Sequence, residues 1–97
     1  MNASGFVRPY NKLNMKESKR TASEEKWLKA LGLRIQQLIE SKGYASPYEF
    51  WIEKGEDQFS RTTLNYILTG RTDPRITTLK TIAKLLGVSL NELLAAE

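Results

Sequence analysis

Hydroxyl residues and glycines punctuate this chain, and that punctuation restricts its fold more than any other feature. Thr21, Ser46, Ser60 and Ser89 each precede a run with helical spacing, and Gly43, Gly55, Gly70 and Gly87 stand where such runs stop. A side-chain oxygen ahead of a helix accepts a first-turn N–H, and glycine adopts the left-handed turn that ends one. Thr21-Ala-Ser-Glu24 and Ser89-Leu-Asn-Glu92 both have capping-box spacing. Ser46-Pro47 adds a proline at the first helical position, where its missing N–H is harmless. The pattern predicts five helices and no strand.

Apolar spacing gives each helix a buried face. Trp27, Leu28, Leu31, Ile35, Leu38 and Ile39 recur at three- and four-residue steps. Gly32 interrupts this stripe at about 1 kcal/mol relative to alanine, which predicts a bend or a late start for the first helix. In the second helix Phe50, Trp51 and Ile52 are expected to face inward, with Tyr48, Glu49 and Glu53 outward. Glu56, Asp57 and Gln58 form a polar turn, and Phe59 plugs the corner. Leu64, Ile67 and Leu68 bury the third helix, then Ile76, Leu79, Ile82, Ala83 and Leu86 the fourth, and Leu90, Leu93 and Leu94 the last. The aromatic residues Trp27, Phe50 and Trp51 lie on these stripes, so they read as core rather than as a ligand pocket. Residues 1–20 have no sustained period and read as a flexible basic tail. Residues 21–97 read as one helical domain, the size at which short packed helices suit a small core.

Composition narrows the chemistry. The 97 residues include no cysteine and no histidine. Disulfides, thiolate metal sites and the commonest general base are therefore absent. No nucleophile–base pair, metal cluster or phosphate-cradling glycine loop is evident, so the chain reads as a non-enzyme with no cofactor and no metal. No apolar run approaches the roughly 20 residues of a membrane helix, and the start lacks a signal-peptide core. A cytoplasmic, nucleoid-associated protein without a membrane partner is the expectation. The net charge of +4 lies at one end. Residues 1–29 carry seven basic and three acidic side chains, whereas the rest balances eight against eight. An arm of this charge either follows a phosphate backbone or serves as a solvated tail.

The third predicted helix differs from the others in what it leaves outside. Arg61, Thr62, Asn65, Tyr66 and Thr69 are hydrogen-bonding groups without a carboxylate among them. The run Ser60-Arg-Thr-Thr-Leu-Asn-Tyr-Ile-Leu-Thr-Gly70 continues through Pro74, Leu79, Ile82-Ala83, Leu86-Gly87-Val88-Ser89 and Leu93-Leu94. In this order and spacing it resembles the Cro and phage-repressor (XRE-like) class of helix-turn-helix proteins, over about Leu31 to Leu94. The resemblance implies an all-α, five-helix, lambda-repressor-like bundle whose second helix crosses the DNA backbone while the third enters the major groove. It implies that Arg61, Thr62, Thr63, Asn65 and Tyr66 face bases. Arg61 would take guanine O6/N7 and Asn65 adenine, each for about 1–3 kcal/mol of discrimination, with Thr62 or Thr63 on a thymine methyl. For Tyr66, phosphate contact and partial packing stay open beside base contact. Ser60, Arg71, Thr72 and Arg75 fall where phosphates are gripped, helped by the N–H groups that open the fourth helix.

The chain departs from that family at definite places. Pro47 and Trp51 stand where glutamine and alanine are common, and Gly55 to Leu64 is three residues longer, which implies more widely spaced second and third helices. Glu53, Glu56 and Asp57 put negative charge just ahead of the third helix, either as a solvated turn or as a docking site for a basic partner. Ile39 and Leu68 replace an arginine and a glutamate that usually pair, and the alignment predicts that the two apolar side chains touch.

The leading functional reading is a sequence-specific regulator of transcription, a repressor of bacterial, phage or mobile-element type that occupies an operator. Double-stranded DNA is the partner, and a homodimer is the usual form. Two other readings compete. One is an antitoxin-like protein that binds a partner through residues 1–20. The other is a helical interaction module that no longer reads DNA.

Overall fold

The computed structural model describes residues 20–95. The tail assigned to residues 1–20 therefore lies outside the described residues except for Arg20. The helices are α1 (Ala22–Ser41), α2 (Pro47–Phe50), α3 (Arg61–Leu68), α4 (Ile76–Leu86) and α5 (Leu90–Leu93), with a π-helical turn over Trp51–Gly55 continuing α2. The fold is all-α, and no strand occurs among the described residues. No helix of the described residues is long and apolar enough to cross a membrane.

The sequence punctuation acts as expected at the helix starts. The Glu24 N–H donates to Thr21 Oγ1 (3.1 Å) and the Thr21 N–H to Glu24 Oε1 (2.9 Å), a complete capping box. Ser46 and Ser60 accept from the Glu49 and Thr63 N–H groups. At Ser89 the hydroxyl accepts from the Glu92 N–H at 3.0 Å. Leu31, Ile35, Ile39, Phe50, Ile67, Ile82 and Leu93 are fully buried and join all five helices in one core. Tyr44 closes the corner between α1 and α2 with its ring edge-on to Phe50, 5.5 Å between centroids.

Gly32 does not delay α1, which is continuous from Ala22 to Ser41. The glycine is a contact point instead. A β-carbon there would collide with the Leu68 carbonyl oxygen and stand 2.7 Å from that of Ile67. A second close approach lies one turn earlier on α1. Gly70, at φ +71°, leaves space in which a β-carbon would sit 2.9 Å from the Lys29 α-carbon. Two glycines thus let the C-terminal end of α3 rest on α1 through main chain.

That register bears on Ile39 and Leu68. Both are buried in the same core, but the Leu68 main chain is level with Gly32. Ile39 stands seven residues farther along α1 than Gly32.

Two apolar expectations are corrected. Ile52 is 43% exposed rather than inward, because the wider π turn shifts the helical register just after Phe50. Ile76 is 54% exposed, since it opens α4 a full turn before the buried stripe begins at Leu79. Trp51 is half-buried, and its indole N–H donates to the Phe59 carbonyl at 2.8 Å. Phe59 lies over Gly55. The additional length between α2 and α3 is taken up in this π turn and the bend that follows it. At the far end, Arg34 of α1 donates through Nε (3.3 Å) and Nη2 (3.2 Å) to the Glu92 carbonyl, fastening α5 to α1.

Candidate nucleic-acid interface

α3 begins at a cap that uses both ends of one hydroxyl. Ser60 Oγ accepts from the Thr63 N–H at 3.0 Å and donates to Thr63 Oγ1 at 2.8 Å. With Leu64, Ile67 and Leu68 buried, helical periodicity turns Arg61, Thr62, Asn65, Tyr66 and Thr69 outward, and all five are exposed.

Three of the candidate readers come together. Arg61, Thr62 and Asn65 line one open groove between α2 and α3, of about 680 Å³, whose opposite wall includes Ser46, Pro47, Tyr48 and Trp51. No carboxylate lines it. From Gln58 to Thr72 the chain holds no acidic residue and two arginines, so the edge presented by α3 favours an anionic, hydrogen-bonding partner.

The remaining candidates are placed elsewhere. Thr63 is half-buried with its hydroxyl bonded to Ser60, and it lines a smaller groove of about 340 Å³ with Thr72, Arg75 and Thr78. Thr63 thus sits apart from Arg61, Thr62 and Asn65 and beside two of the candidate phosphate residues. Tyr66 pairs with Arg71: the guanidinium carbon lies 4.7 Å from the ring centroid, and the Arg71 N–H donates to the Tyr66 carbonyl at 2.9 Å. Ser60 is exposed, but its hydroxyl is engaged in the cap. Arg75 occupies the N-cap of α4 without a side-chain cap bond, so that helix opens with first-turn N–H groups that no capping side chain fills.

Sequence reasoning missed one neighbour of this face, Tyr48. Tyr48 lies in the groove against Arg61, with the guanidinium carbon 4.3 Å from its ring centroid. Its spacing of three from Trp51 was the available signal, because residues three apart share a helix face. Thr69 also lines the groove, and its hydroxyl donates back to the Asn65 carbonyl at 2.9 Å.

A helix-turn-helix family model matches residues 55–93, from the end of the π turn through α3, α4 and α5. No curated protein and no solved structure matches the chain. The family match spans the helix with the carboxylate-free polar face and the two helices that follow it. Over residues 55–93, less than half of the chain, the protein is similar to the helix-turn-helix family, in agreement with the Cro and phage-repressor resemblance of its sequence.

Proposed function

We propose that this protein is a sequence-specific, double-stranded DNA-binding regulator of transcription that represses by occupying its operator. The observation that carries the reading is the alignment of Arg61, Thr62 and Asn65 along one carboxylate-free groove, on a helix pinned to the core by main-chain contact. In this reading α3 enters the major groove. Arg61 and Asn65 supply bidentate contacts to guanine and adenine, and Thr62 lies against a thymine methyl. Thr63 belongs with the phosphate-facing set, beside Thr72 and Arg75.

Phosphate contact falls to Arg71, Thr72 and Arg75 together with the opening N–H groups of α4, where the helix dipole favours an anion. The basic residues before Thr21 add affinity without sequence preference. Binding as a dimer to two half-sites about one helical turn apart completes the proposal.

Selection from a random duplex library with the full-length protein tests it. Enrichment of a sequence with two related halves is expected. No enrichment at moderate salt would overturn the reading and leave the helical interaction module in its place.

A further inference from the structure

Three planar groups are stacked from the core outward between α2 and α3. Trp51 is innermost, half-buried, its indole held by the Phe59 carbonyl at 2.8 Å. The Tyr48 ring lies over it, 6.1 Å between centroids and 25° from parallel. The Arg61 guanidinium lies over the Tyr48 ring, its carbon 4.3 Å from the centroid. The neighbouring Glu49 carboxylate is engaged elsewhere, accepting from the Ala45 N–H at 3.0 Å.

We infer that Tyr48 is the positioning residue for Arg61, fixing the orientation of its guanidinium before DNA arrives and so setting how sharply Arg61 discriminates among bases. The inference rests on the DNA-reading role proposed above. Its chemistry follows from the shape of the group. A guanidinium stacks through its faces and donates hydrogen bonds through its edge, so contact with Tyr48 leaves the fork of N–H donors free for a base. A long exposed side chain held in one orientation loses less freedom on binding than a free one. The anchoring also runs the right way. Trp51 is fastened to the loop that delivers Ser60 and the first turn of α3, so the stack and the start of the reading helix move together. The phenol hydroxyl takes no part in this arrangement; the ring is what matters.

The test is base preference, position by position, for full-length protein and the variants Tyr48→Phe, Tyr48→Leu, Arg61→Ala and Tyr48→Leu/Arg61→Ala, each on the selected duplex and its single-base changes. Tyr48→Leu keeps an apolar contact with Trp51 but removes the π face. It is expected to reduce discrimination on the order of 3- to 10-fold, at the same base pair that Arg61→Ala flattens, while Tyr48→Phe behaves as the parent. In the Arg61→Ala background Tyr48→Leu is expected to add nothing. The inference is overturned if Tyr48→Leu weakens all sequences equally, acts at another base pair, or still acts without Arg61. Tyr48→Phe matching Tyr48→Leu would overturn it too, by making the hydroxyl a direct contact. Failure of the unsubstituted protein to enrich any sequence would overturn the DNA reading and this inference together, whereas enrichment with a misplaced Tyr48 effect sinks the inference alone.

Discussion

The carbonyl group of Leu68 lies against Gly32 in the space a β-carbon would occupy. Replacing Gly32 by alanine therefore sets two effects against each other. Alanine favours the helix by about 1 kcal/mol. The added methyl meets main chain of α3, which cannot rotate away as a side chain would, and overpacking of this kind typically costs about 1–3 kcal/mol, occasionally more. Net destabilisation is expected despite the better helix former. Urea unfolding of Gly32→Ala checks it; a midpoint equal to or above that of the parent would mean the helices separate freely.

Trp51→Phe keeps an aromatic ring, though a smaller one, and removes the N–H donor. The Phe59 carbonyl then loses its partner at a half-buried position. A loss of about 1–2 kcal/mol is expected, the range for a polar group left partly unsatisfied. Thermal unfolding gives the answer, and an unchanged midpoint would show that solvent replaces the indole.

Arg34 makes its two bonds to the Glu92 carbonyl across 58 residues of sequence. Arg34→Ala is expected to destabilise by about 1 kcal/mol, since the site is partly exposed. Arg34→Lys should recover only part, because one ammonium cannot reproduce the fork. The fastest hydrogen exchange should appear in α5, and uniform acceleration through α1 and α4 would argue against a local role.

Phosphate and base contacts separate by their response to salt. Arg71→Ala and Arg75→Ala are each expected to lower the slope of log K against log salt by about 0.9, without changing which sequence is preferred. Arg61→Ala and Asn65→Ala are expected to remove about 1–3 kcal/mol of discrimination at separate base pairs, with a smaller change in slope. Binding titrations across a salt series on cognate and single-base variant duplexes measure both. A change of preferred base on replacing Arg71 or Arg75 would move those residues to the reading face.

The helix starts were legible because Thr21, Ser46, Ser60 and Ser89 encode hydrogen bonds a few residues away, where spacing alone fixes the geometry. The buried side of α3 was equally plain from Leu64, Ile67 and Leu68. What escaped was tertiary. Gly32 reads locally as a weak point in a helix, and only the arrival of Leu68 shows why a side chain is excluded there. The π turn leaves no periodic trace in five residues, so Ile52 was placed inward by ordinary helical counting. At the site, Arg61, Thr62 and Asn65 shared a helix face in the sequence and share a groove in the fold. Thr63, grouped with them by the family resemblance, lines a separate groove beside Thr72 and Arg75. The Tyr48 stack joins two helices, and no local pattern reports such a pairing.

The two glycine contacts between α1 and α3 carry a consequence for how such a protein can change its target. At these two points α3 and the residues just after it approach α1 closely, at Gly32 through main chain, beside the buried Leu64, Ile67 and Leu68. Under the proposed function, substitutions at Arg61, Thr62 or Asn65 would therefore change the preferred sequence without realigning the scaffold. In a lineage of such chains, operator preference would be free to drift quickly while residues 32 and 70 stay glycine.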